Sequence, residues 1–307
     1  MVSTLDRPLA PGRASDTARP GVSLTDALLL VMSVIWGINY AVVKYGAELV
    51  SPLAYNSLRV AIAAVVLSGI VALGRGERLA RRDIIGLLLL GVLGNGVYQV
   101  FFVEGIARTR AGDAALVLAA APVFIAIFGR ITGVERIGVR AIAGIVLSIA
   151  GIGFVVFGGA GDTTGQSTFL GNALTLIGCI CWALYTVLLK PYANRIDALR
   201  ISTVTAVGGA IPLLLVSAPS IVAVDWRHVS MGAYAALAYS SIGALVIAYL
   251  FWYRGIRVIG PTRTAMYSNL QPVVAILFAW GFLSEVPTPW QWLGAVTIIA
   301  GVILTRT

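Results

Sequence analysis

The sequence predicts an all-α integral membrane protein, with ten transmembrane helices arranged as two inverted five-helix repeats. Three observations predict it. The 307 residues are 59% hydrophobic and only 11% charged, whereas soluble domains carry about 25% charged residues. A soluble fold of this size would have too little polar surface to cover it. Apolar runs such as Ala54–Leu73, Ile84–Ile106, Ala141–Phe157 and Val204–Val216 with its flanks have about the 20-residue length that crosses a hydrocarbon core of roughly 30 Å. Finally, the chain repeats itself with a unit of five spans. Helices are the expected spanning elements, because the open edge of a sheet cannot be satisfied in lipid.

The spans are expected at roughly 24–44, 52–73, 84–107, 112–132, 138–158, 168–190, 200–217, 232–253, 262–283 and 289–305. Short connections marked by glycine or proline separate them, among them Gly74–Gly76, Gly158–Gly161, Pro219, Gly260–Pro261 and Pro287–Pro289. Residues 1–22 are rich in Pro, Arg, Ser and Gly and lack an apolar run. They read as a disordered cytoplasmic tail and not as a secretory signal peptide. The repeats are expected over 23–158 and 165–307.

The net charge of +9 does not point to nucleic acid, because the basic residues are spread over many loops. It fits the excess of Lys and Arg in cytoplasmic loops of membrane proteins. With the amino terminus inside, 16 basic residues lie inside and 4 outside (Lys44, Arg108, Arg110 and Arg227), with Arg59 and Arg130 within spans. That bias places both termini on the cytoplasmic side of the cell (inner) membrane.

Residues 101–157 align without a gap on 251–307, at an offset of 150. Matching positions include Phe101/Phe251, Gly105/Gly255, Pro122/Pro272, Phe128/Phe278, Glu135/Glu285, Gly144/Gly294 and Gly151/Gly301. Upstream the offset is 146, which pairs Trp36 with Trp182 and Lys44 with Lys190. Five is odd, so the second repeat enters the membrane from the opposite side. Inverted repeats characterise secondary transporters, whose site lies near the midplane between the repeats.

The residues that carry this plan also carry a family resemblance. WGINYAVVK at 36–44, SLRVAIAAVVL at 57–67, APVFIAIFGRITGVERIGVRAIAGIVLSIAGIGFVV at 121–156 and QPVVAILFAWGFLSEVPTPWQWLGAVTIIAGVIL at 271–304 make the chain resemble the EamA family of the drug/metabolite transporter superfamily. The pattern is a mid-helix proline, a glutamate at the helix end and a glycine-punctuated final helix. The resemblance implies a ten-span carrier and covers the chain after residue 23. It says little about substrate, since members of such families export amino acids, metabolites and drugs or import vitamins. Small multidrug resistance relatives use a membrane-embedded glutamate in the first helix to bind protons and cations. Asn39 is the polar group of that helix in this chain, and no carboxylate falls between Asp26 and Glu48, which argues against that mechanism.

Polar side chains within spans face a bundle interior or a watery cavity. Candidates for substrate binding are Trp36, Asn39 and Tyr40 of span 1, and Asn95, Tyr98 and Gln99 of span 3, where Phe102 continues the helical stripe. Trp182 and Tyr185 of span 6, with Thr186, and Tyr267 and Gln271 of span 9, on the stripe of Thr264 and Ser268, complete the set. The alternative for each is interhelical hydrogen bonding, worth about 0.6 kcal/mol per contact. Pro122 and Pro272 are hinge or kink candidates, since proline removes a backbone hydrogen bond. Arg59 either snorkels outward or neutralises a substrate carboxylate. Glu135 and Glu285 read as helix caps, Glu104 pairs with Arg108 at i+4, and the paired glycines read as packing positions.

No enzyme chemistry is expected. His228 is the single histidine, in a polar loop, and Cys179 and Cys181 lie in one span on different helix sides. No metal and no cofactor are expected, and the partners are a small-molecule substrate and the lipid bilayer, with a homodimer left open. The leading expectation is an exporter of small neutral or zwitterionic metabolites, amino-acid-like compounds first. Import of a vitamin or other aromatic metabolite is the alternative.

Overall fold

The computed structural model describes residues 23–74, 79–133, 139–160 and 167–306. The expected tail at 1–22 and the expected cap Glu135 lie outside them. The described residues form ten helical spans and no strand: α1 (Leu24–Leu49), α2 (Pro52–Leu73), α3 (Arg81–Ile106), α4 (Ala111–Ile131), α5 (Val139–Ala160), α6 (Phe169–Ala193), α7 (Ala198–Val222), α8 (Met231–Ile259), α9 (Pro261–Tyr267 continued by Gln271–Leu283) and α10 (Pro289–Arg306). Eight of them are long and apolar enough to cross a membrane. The apolar part of α5, Ile142–Val155, and α10 supply the remaining two.

Local sequence sets the helix starts. Ser23 caps α1 in a reciprocal box: its hydroxyl accepts from the Asp26 N–H at 3.2 Å, and the Asp26 carboxylate accepts from the Ser23 N–H at 2.9 Å. Side chains of Thr168, Asp197 and Ser230 cap α6, α7 and α8 in the same sense, each satisfying an N–H that the helix leaves orphaned. Gly260 turns the chain from α8 into α9 at φ +87°, a left-handed conformation that glycine adopts at no steric cost. Leu73, Val65, Leu215 and Val222 stand exposed on the surface of the bundle, where lipid is their solvent.

The inversion of the repeats is visible in α5 and α10. A Cβ added to Gly151 would lie 2.7–2.8 Å from Ile298 and 3.1 Å from the Gly294 carbonyl, and one added to Gly301 would lie 2.3–2.6 Å from Ser148 and the Gly144 carbonyl. Each contact is the repeat image of the other. Contacts that descend one helix while climbing the other mean that the two helices run antiparallel. Only glycine lets their backbones approach this closely.

Two features depart from the expected regular helices. The middles of α3 and α8 are π-helical, over Val92–Val97 and Tyr239–Ile247, and the repeat offset superposes these segments. The wider turn rotates residues before the segment relative to those after it, so a stripe drawn at regular α-helical spacing does not stay on one face. In addition, α4 is interrupted at Ala119–Ala120, and α9 contains a 3-10 turn at Ser268–Leu270. Pro122 and Pro272 each lie in the first turn of the helix that resumes, where a missing N–H is tolerated.

Candidate functional site

A central cavity is lined by side chains of α1, α2, α3, α4, α6, α8 and α9, with about 510 Å³ of non-atom space among them, open solvent included. Helices of both repeats contribute to it. From α1 come Trp36, Asn39 and Tyr40; from α3, Tyr98, Gln99 and Phe102; from α6, Trp182; and from α9, Ser268 and Gln271. Leu118 and Ala121 flank the break in α4, so the interruption borders the cavity.

One wall is aromatic. Trp36 and Trp182, the repeat mates, meet edge to face with centroids 5.8 Å apart. Trp182 also contacts Tyr98, Tyr249 and Trp252 at 5.1, 5.6 and 5.3 Å, within the range where aromatic pairs attract. The Trp36 indole N–H donates to the Ala244 carbonyl at 2.9 Å. The polar groups form a bonded chain across helices. Tyr40 donates to the Gln271 amide oxygen at 3.2 Å, and Ser240 donates to the Asn39 amide oxygen at 2.7 Å. The Gln99 amide nitrogen donates to the Tyr249 hydroxyl at 3.3 Å; these two residues are mates under the offset of 150 and meet in the cavity lining.

Arg59 of α2 lies in this wall and does not snorkel: it is 1% exposed. Its Nε donates to Asn56 Oδ1 at 2.9 Å and its Nη1 to Ser240 Oγ at 2.8 Å, while its Nη2 donates to Gln99 Oε1.

Three sequence candidates stand away from the cavity lining. Asn95 lies in the π segment and packs against Gly209 of α7. Its Nδ2 has no partner among the described residues. Tyr185 is fully buried, with its hydroxyl 2.5 Å from that of Tyr253. Tyr267 donates to the Asp26 carboxylate and ties α9 to the start of α1. The π winding accounts for Asn95, because it lies within the wide turn while Tyr98, Gln99 and Phe102 follow it. Residues that periodicity missed are Ser240, Leu245 and Tyr249. The repeat offset was the signal that could have found two of them, since it maps Asn95 and Gln99 onto Leu245 and Tyr249.

At the end of the bundle holding the α1 carboxyl terminus, a second polar group is closed upon itself. Lys44 Nζ lies 2.7 Å from Glu285 Oε1 and donates to the Thr109 carbonyl at 2.7 Å. Glu285 Oε2 accepts the Ala111 N–H at 2.9 Å, so it caps α4. Asp113 accepts from Ser167 at 2.6 Å and from Gln291 at 2.8 Å. Glu104 pairs with Arg108. Among the described residues, no cluster of His, Cys, Asp and Glu could hold a metal. His228 is exposed beside Asp225 in a loop, and both cysteines are free thiols.

If Asn39 and Gln99 contact a ligand, Asn39→Ala and Gln99→Leu weaken its binding several-fold, the effect of losing a hydrogen bond worth about 0.5–1.5 kcal/mol. Asn95→Ala leaves affinity unchanged and alters thermal stability alone. Titration of the three purified variants against one transported solute checks this. An Asn95→Ala effect as large as that of Asn39→Ala would show that the cavity is not the binding site.

A polytopic helical bundle with inverted repeats and a central polar and aromatic cavity has the architecture of a membrane transporter. The EamA-like transporter family matches residues 23–157 and again 169–307, one match for each five-helix set. The chain belongs to this family, and it is a multi-pass membrane transporter protein. Relatives include the uncharacterized transporter YyaM of Bacillus subtilis (strain 168), 28% identical over 90% of this chain and 91% of the relative. The uncharacterized inner membrane transporter YedA of Escherichia coli (strain K12) is 30% identical over 90% of this chain and 88% of its own. A solved crystal structure superposes with a TM-score of 0.67, covering 93% of this chain and 99% of its own at 19% identity, which is a likeness of fold alone.

Proposed function

We propose that the protein is an inner-membrane secondary transporter that exports small neutral or zwitterionic metabolites, amino-acid-like compounds first, by alternating access between its inverted repeats. The observation that carries this reading is the cavity where repeat mates meet, Trp36 against Trp182 and Gln99 against Tyr249. Exchanging the roles of the two repeats re-forms the same contacts with the opposite opening, so one site serves both sides of the membrane. Both termini face the cytoplasm in this reading, as the asymmetry of basic residues requires. A second reading is import of a vitamin or other aromatic metabolite, whose ring the aromatic wall would suit.

Counterflow in proteoliposomes tests the proposal. Vesicles preloaded with an unlabelled amino-acid pool are expected to accumulate labelled members of that pool, and protein-free vesicles are not. Absence of exchange for every amino-acid-like and aromatic solute would reject it. Net efflux from loaded cells against net uptake then separates the two directions.

A further inference from the structure

Arg59 is a buried cation with no counter-ion among the described residues. Its three hydrogen-bond partners, Asn56, Ser240 and Gln99, are all neutral, and its guanidinium stands 5.3 Å from the centroid of the Phe102 ring. Among the described residues no Asp or Glu bonds or ion-pairs with it. The carboxylates with ion-pair partners, Glu285, Glu104, Asp83, Asp197 and Asp225, are engaged elsewhere. Guanidinium has five N–H donors, and the three bonds use one each on Nε, Nη1 and Nη2. One N–H on each terminal nitrogen is left over, and each can donate a charge-assisted bond to a carboxylate. Arg59 borders the cavity, and among the described residues no acidic side chain does.

Membrane interiors hold ionisable side chains at high cost, and they persist there where they serve a solute or a partner. An arginine kept only for structure would be expected to have a carboxylate beside it, since an uncompensated buried charge is strongly destabilising. Asn56, Ser240 and Gln99 come from three different helices and hold the guanidinium against the cavity. The groups around it are thus spent on orienting the charge and none on neutralising it.

We propose that Arg59 is the anion-binding group of the cavity, and that the transported solute carries a carboxylate seated on its guanidinium. The body of the solute then lies against the aromatic wall of Trp36, Trp182 and Tyr249. The inference rests on the cavity being the transport site; it keeps the zwitterions of that reading, drops its neutral solutes and adds carboxylate anions with an apolar or aromatic body. A free amine without a carboxylate is excluded, because it would meet a fixed positive charge and no acid. The ammonium of an amino acid is accommodated by the faces of the aromatic rings.

The test uses four solutes that share one ring, namely phenylacetate, phenylalanine, phenylacetamide and phenylethylamine. Their binding to purified protein in lipid nanodiscs is followed by intrinsic tryptophan fluorescence. Phenylacetate and phenylalanine are expected to bind roughly 10- to 100-fold more tightly than the amide, as charge-assisted bonds provide, and the amine not at all. Arg59→Gln is expected to erase the preference for carboxylate over amide, and Arg59→Lys to keep a reduced one. Because Arg59 joins three helices, Gln99→Glu provides a second arm that does not depend on losing it. That variant supplies an internal carboxylate, so it is expected to fold at least as stably as the parent and yet to lose carboxylate binding. The proposal is overturned if the amine binds as well as the acid, if none of the four binds at millimolar concentration, or if folded Gln99→Glu and Arg59→Gln keep the carboxylate preference. Carboxylate binding without counterflow would retain the Arg59 assignment and reject transport. Counterflow of amines or neutral solutes alone would do the reverse.

Discussion

Removing the carboxylate of Glu285 is expected to destabilise the protein by about 3–5 kcal/mol, the cost of stranding the partner of a buried ion pair. Glu285 and Lys44 have side chains only 5% and 11% exposed, so solvent cannot replace the lost partner. Glu285→Ala also orphans the Ala111 N–H at the start of α4. The loss therefore loosens three elements together: α1, the first turn of α4 and the turn into α10. Glu285→Gln, which keeps an acceptor for Ala111 but loses the charge, is expected to be milder. The double variant Lys44→Met with Glu285→Leu is expected to recover part of the stability, because it removes both charges and their desolvation cost. Thermal and denaturant unfolding in detergent measures all three. A Glu285→Ala cost below about 1 kcal/mol would place the pair in the class of solvent-exposed ion pairs and contradict the geometry.

The helical reading of Glu285 as a cap was accessible from its place at a helix end. Its pairing with Lys44 was not, because the two are far apart in sequence and hydropathy says nothing of which spans touch. The spans themselves were legible, since their length and apolar content are dictated by bilayer thickness. The inversion was legible too: the ungapped register of Pro122/Pro272 and Gly151/Gly301 required an odd-numbered repeat, and α5 against α10 shows its antiparallel outcome. The cavity lining was legible where a polar or aromatic residue interrupts an otherwise apolar face, as at Trp36, Asn39, Tyr40, Tyr98, Gln99, Trp182 and Gln271. It was misjudged where winding changes. Asn95 belongs to the same regular stripe as Gln99 on paper, and the π segment turns it toward Gly209 instead. Nothing in the composition of Val92–Val97 announces a wider turn. For Arg59 the sequence left snorkelling and anion binding both open, and burial decides against snorkelling because the side chain stays inside the bundle.

Trp182→Ala is expected to cost about 3–5 kcal/mol in stability, as for other large-to-small changes at buried aromatic sites, and to abolish measurable solute binding. Trp182 is 6% exposed and touches the rings of Trp36, Tyr98, Tyr185, Tyr249 and Trp252. Truncation would therefore open a void at the meeting point of five aromatic side chains. Its repeat mate Trp36 is less enclosed and makes three of the aromatic contacts, those to Trp182, Tyr249 and Trp252. Its indole N–H also holds the Ala244 carbonyl of the π segment in α8. Trp36→Ala is accordingly expected to cost less stability than Trp182→Ala. Trp36→Phe separates packing from bonding, since it restores a ring but frees the Ala244 carbonyl in a segment whose backbone bonds are already rearranged. Unfolding midpoints and phenylacetate titrations on the same preparations distinguish these effects. If Trp182→Ala unfolds at the parental midpoint and binds phenylacetate with parental affinity, the aromatic wall is neither the keystone of the bundle nor part of its site. If Trp182→Phe restores stability but not affinity, the wall recognises the solute through the area and polarisability of indole rather than through bulk packing alone.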